Sequence, residues 1–109
     1  MARLKIDLQG GFVNDAVVIV VNGWEVYEKD SVSTRLQVGF ADSVVTDVPS
    51  GRSTVEIEVS TRLAKTEFSV STVDTDITVG VSLESTGIKH RVLQENSGGM
   101  SGNNRRRSL

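Results

Sequence analysis

An all-β fold is what this sequence predicts, and three observations predict it. Nine short runs of period-two alternation, rich in valine and threonine, fill residues 4–93. Turn residues interrupt them every eight to twelve positions or so, the spacing of a sandwich or barrel. No stretch of ten or more residues carries a helical period. A strand's side chains point alternately to opposite faces, so Val55, Ile57 and Val59 are expected inside while Thr54, Glu56 and Glu58 meet water. The expectation is one antiparallel β-sandwich, immunoglobulin-like or prealbumin-like, of about eight to nine strands. It should occupy residues 1–93, with a flexible basic tail over 94–109.

The elements follow in order. Leu4, Ile6 and Leu8 alternate with Lys5 and Asp7 until Gln9-Gly10-Gly11 breaks the run. Residues 17–21 are continuously apolar, as in a strand covered on both faces or one meeting a partner. Asn22-Gly23 then closes a hairpin, because both residues tolerate the positive φ of a type I′ turn, and 24–29 return. Leu36, Val38 and Phe40 share parity and predict a strand over 32–40. Residues 43–48 form the next, ended by Pro49-Ser50-Gly51, where a fixed φ suits a turn corner. Strands over 54–60, 66–73, 77–84 and 88–93 complete the set. From Gln94 the composition is polar with no periodicity, too poor in apolar surface to repay its ordering entropy.

The chain of 109 residues is 38% hydrophobic but only 5% aromatic, so β-branched aliphatics must fill the core. With no cysteine, no disulfide or thiolate metal site braces it. The N-terminus enters a strand at once, without the apolar stretch of a secretory signal. The longest apolar run, 16–21, is far below the roughly 20 residues of a membrane span. These features predict a cytoplasmic protein without membrane insertion.

The hairpin Val18-Ile19-Val20-Val21-Asn22-Gly23 with Val26 after it, then Val48-Pro49-Ser50-Gly51 running into Thr54-Val55-Glu56-Ile57-Glu58-Val59, resembles modules of the PEGA type and their carboxypeptidase-regulatory or transthyretin-like relatives. The resemblance covers less than half the chain. It implies a small β-sandwich that serves as a non-catalytic attachment or interaction unit.

Catalytic constellations are sparse. His90 is the sole histidine, set on the parity of Ile88 and Val92, and reads as a half-buried strand residue rather than a general base. Gly-x-Ser-x-Gly is missing. Asp74 with Asp76, and Asn14 with Asp15, offer oxygen ligands for calcium but read first as turn formers. Glu56 and Glu58 share a solvated face, without the burial that raises an acid's pKa. Gly10-Gly11 and Gly98-Gly99 match no phosphate-binding spacing, so no cofactor is expected. Setting aside Arg105, Arg106 and Arg107 leaves nine basic against fourteen acidic residues, a net of −5. Such a body repels nucleic acid, and no aromatic interleaves with the arginines; they read as a solubilising tail or one that docks on an acidic patch.

Binding is the class that remains. Trp24 and Tyr27 flank the hairpin and, three apart, are expected on opposite sides, with Trp24 in the core and Tyr27 at the surface. Either ring, if exposed, is an anchor that adds contact area at little entropy cost. Residues 17–21 cannot all face one core, so an outward member, Val18 or Ile19, is expected to meet another chain. The sequence thus predicts a non-catalytic interaction module that binds a protein partner or itself. The alternative is a carbohydrate-binding module using the aromatics near Asn22-Gly23.

Overall fold

Alternation becomes pairing in eight strands among the described residues: β1 Ala2–Leu8, β2 Asp15–Val21, β3 Trp24–Val32, β4 Asp42–Val48, β5 Arg52–Val59, β6 Ala64–Ser71, β7 Thr75–Glu84 and β8 Gly87–Ser97. The structure, a computed structural model, describes residues 2–73 and 75–97, of 94–97 the backbone alone. Two four-stranded sheets result, ordered β4-β1-β7-β8 and β3-β2-β5-β6. One core lies between them, in a sandwich-like all-β arrangement. Leu4, Ile6 and Leu8 of β1, Val17, Ile19 and Val21 of β2, Val55, Ile57 and Val59 of β5, and Val79 and Val81 of β7 are buried there. Each fully buried aliphatic of this size stabilises the fold by about 1.5–3 kcal/mol.

Three expectations need correction. The first sheet is mixed, because β1 and β7 run parallel, Leu4 beside Ile77 and Leu8 beside Val81. A parallel pair needs a long crossover, and here the chain makes it by passing through the whole second sheet.

Residues 33–41 are a loop rather than a strand. The N–H groups of Val38 and Gly39 donate to the Arg35 carbonyl at 3.1 and 2.8 Å, and Gly39 has φ +64°. The segment turns back on itself between Arg35 and Phe40 and is tied at its ends by the Thr34 N–H to the Phe12 carbonyl and the Ala41 N–H to the Leu8 carbonyl, which leaves Leu36 90% exposed. Alternation there had no neighbouring strand to satisfy.

The last strand also continues past residue 93. Ser97 pairs with Thr75 and Glu95 with Ile77, since a ladder bonds polar residues as well as apolar ones. The rest of the expected tail, 98–109, lies outside the described residues.

The Asn22-Gly23 turn stands as expected, with φ +51° and +85°. Asn22 also ties the turn to β5: its Oδ1 accepts from the Thr54 N–H at 2.9 Å. At Pro49-Ser50-Gly51 the buried Thr72 hydroxyl donates to the Gly51 carbonyl at 2.8 Å, pinning the β4–β5 turn to the end of β6.

Candidate functional site

β3 and β4 are edge strands of different sheets and lie on the same flank of the molecule. Between them lies a groove. Trp24 pairs with Val21, Glu25 with Val20 and Tyr27 with Ile19, so Val26 is an extra residue, a β-bulge. Directly paired residues share a face, and the bulge therefore brings Trp24 and Tyr27 to the same inward side. Parity without a bulge had put them on opposite sides. Val26 and Tyr27 both pack against the core.

Trp24 sits opposite the last core valine of β2, beside the turn, and is 77% exposed. It is not the core residue expected, because the sandwich ends before it can be covered. Its ring stands over a groove of about 500 Å³ with apolar walls from Val21, Val26, Val48 and Pro49 and polar ones from Thr46, Asp47 and Arg52. The Asp47 carboxylate stands 4.0 Å from Arg3 Nε, both side chains well exposed.

Further along the flank, Tyr27 and Asp42 close the gap between the sheets. The Tyr27 hydroxyl donates to Asp42 Oδ2 at 2.8 Å, and Lys29 Nζ donates to the same oxygen at 2.7 Å. The Lys29 hydrogen bond is the main influence on Asp42; with the Tyr27 and Ser43 donors it outweighs burial and holds the carboxyl below its ordinary range. Burial, reinforced by the neighbouring carboxylate, pushes the Tyr27 phenol up. Tyr27 is therefore a neutral donor committed to an internal brace rather than a free surface anchor.

The other two candidate residues separate. Ile19 is 0% exposed and faces the core, so it meets no partner. Val18 is half-buried on the outer face of its sheet, directly between Glu28 of β3 and Glu58 of β5. Val20 sits likewise between Glu25 and Glu56. Glutamates are thus the direct cross-strand neighbours of both outward valines.

A buried acid escaped the sequence reading. Asp15 is 1% exposed; its carboxylate accepts from the Val13 N–H at 2.8 Å, the Thr61 hydroxyl at 2.6 Å and Arg62 Nε at 3.0 Å. Burial alone would push this carboxyl up, but the Thr61 and Val13 hydrogen bonds and the Arg62 charge prevail and hold it below its ordinary range. The available signal was parity: Asp15 shares the face of Val17, Ile19 and Val21. Both of its oxygens are taken by these donors. Of the other oxygen pair, Asp76 Oδ1 accepts from the Arg3 N–H at 2.8 Å, and Asp74 lies outside the described residues. Among the described residues no group of three or more His, Cys, Asp or Glu is placed to hold a metal.

Because the Asp15 and Asp42 carboxyls are depressed in the folded state, each contributes stability that is present above the unfolded value near 3.8 and is lost as pH falls through the folded value. Urea midpoints should be level from about pH 7 to 5 and fall below about pH 4. In Asp15→Asn that acid-limb fall should be shallower. Equal slopes in parent and variant would remove Asp15 from the acid response.

His90 is exposed and stacks on Phe68, ring centroids 3.7 Å apart with planes at 7°, closing the opposite flank between β6 and β8. No family model, curated protein or solved structure matches the chain.

Proposed function

We propose that this chain is a non-catalytic interaction module, prealbumin-like in architecture, that holds a protein partner in the groove beneath Trp24. Strand order supports the architectural choice: β1 and β2 lie in different sheets, whereas immunoglobulin order places the first two strands side by side in one. The exposed indole lining a groove with both apolar and polar walls carries the functional reading. A flat amphipathic ring beside a pocket is the residue type that dominates interface energies. The polar wall supports binding over catalysis, since Thr46, Asp47 and Arg52 include no nucleophile paired with a base.

A second reading has its own observation. Asp47 and Arg52 beside the indole would hydrogen-bond the hydroxyls of a sugar ring stacked on Trp24.

The chain has one tryptophan, so its fluorescence reports the site alone. A photo-crosslinker at Trp24 should capture a protein that one at outward Glu25 does not. With that protein purified, Trp24→Ala should weaken binding at least about tenfold while leaving the thermal midpoint unchanged. Undiminished binding by Trp24→Ala refutes the groove; a glycan-array signal abolished by the same substitution replaces the protein reading with the sugar reading.

A further inference from the structure

The two sheets leave four edges, β4 and β8 on one, β3 and β6 on the other. Three of them are guarded against pairing. β3 has two register shifts and carries Glu25, Glu28, Lys29 and Asp30. β8 has a register shift and carries Lys89 and Arg91. β6 displays Lys65 and Glu67 and meets β8 through the Phe68–His90 stack. Charges and bulges of this kind are how sheet edges avoid one another.

β4 has no bulge, and its two charges, Asp42 and Asp47, stand toward its ends, Asp42 already engaged by Tyr27 and Lys29. Its seven residues pair with β1 in unbroken register, Ala2 with Val48 through Leu8 with Asp42. Its interior, Ser43-Val44-Val45-Thr46, is uncharged and free of proline and glycine. Val45, on the outer face opposite Lys5, is 52% exposed. Alternate N–H and C=O groups of such a strand point away from its only partner.

We propose that the free edge of β4 pairs antiparallel with β4 of a second copy, joining two four-stranded sheets about a twofold axis through Val45. The strand is self-complementary in that register. Val45 faces its own counterpart, Val44 faces Thr46, Ser43 faces Asp47 and Asp42 faces Val48, so no two carboxylates are opposed. A parallel pairing would set Asp42 on Asp42 and Asp47 on Asp47, which like-charge repulsion disfavours. Twofold symmetry requires the antiparallel form. Paired β-branched residues at the centre are a favourable cross-strand match. A single strand pair buries less than the roughly 1,200 Å² of a stable complex, so the dimer depends on concentration. The inference goes beyond the groove reading: β4 residues 46–48 also line the groove, so dimer and partner would compete for this strand, but Trp24 belongs to the groove alone and the two readings fail separately.

Light scattering on the full chain tests it. The mass should rise from the 11.8 kDa of one chain toward twice that as concentration increases from about 5 to about 500 µM, the range expected of a small interface. Val45→Lys, which adds an edge guard at an exposed position, should hold the monomer mass throughout; Trp24→Ala should dimerise as the parent does. Amide exchange across residues 43–47 should slow in the parent as concentration rises, and this readout holds even if the lysine variant folds poorly. A parent that stays monomeric overturns the proposal, as does a Val45→Lys variant that dimerises normally, a Trp24→Ala variant that does not, or protection that builds on β3, β6 or β8 instead.

Discussion

Gly11→Ala should lower the stability of this protein by about 3–5 kcal/mol, near the upper end of what a single substitution does. A Cβ built on Gly11 overlaps the Leu83 carbonyl oxygen and stands 2.8 Å from its carbon. Both are backbone atoms of β7 and cannot rotate aside. Gly11 also has φ +92°, which by itself costs an alanine on the order of 1–2 kcal/mol. To relieve the overlap the β1–β2 loop must lift from β7. Leu83 N–H then loses its 2.9 Å bond to the Gly10 carbonyl, and Phe12, 1% exposed, is dragged from the core behind it. The neighbouring glycine is the control. A Cβ at Gly10 meets nothing within 4 Å, so Gly10→Ala should stay within about 1 kcal/mol of the parent. Urea denaturation of both variants measures the difference; equal midpoints would refute the close approach of loop and strand.

Ile19→Lys should be more damaging still, leaving the chain unfolded at ordinary temperature, whereas Val18→Lys should fold as well as the parent. The two positions are adjacent and chemically alike in sequence. Ile19 is wholly buried among aliphatic residues, with no carboxylate paired to it across either neighbouring strand: its partners are Tyr27 and Ile57. An ammonium there must be desolvated without compensation or lose its proton, at a cost of several kcal/mol. That is comparable to the whole stability of a typical domain, about 5–15 kcal/mol. Val18 instead lies between Glu28 and Glu58. A lysine at that position gains two opposite charges as cross-strand neighbours, worth about 0.2–1 kcal/mol each at low salt. Circular dichroism melts of the two variants provide the comparison. A folded Ile19→Lys would mean that the inward and outward faces of β2 are reversed.

The sequence carried the identity of the inward faces. In β1 and β5 the residues predicted to point inward are the buried ones, because each strand lies between two neighbours and its pleat alone assigns the faces; in β2 the unbroken apolar run left the faces open, and only packing put Ile19 inside. The Asn22-Gly23 turn was equally plain, since only a few residue types accept its backbone angles. Alternation failed at 33–41, where Leu36 and Val38 keep the period of a strand without a neighbour to bond. It failed again at Trp24 and Tyr27, because the bulge at Val26 shifts the parity by one residue, and a bulge is specified by how β3 fits β2 rather than by residue type. Asp15 was readable by its parity with Val17, but its partners Thr61 and Arg62 are 46 and 47 residues away. What the sequence determined by itself was local: which residues face inward and where the chain turns. Only tertiary structure decided the rest: the parallel β1–β7 pair, the ending of the sandwich short of Trp24, and the unguarded edge of β4. Each depends on which strands become neighbours, and that is settled by the packing of two whole sheets around one core.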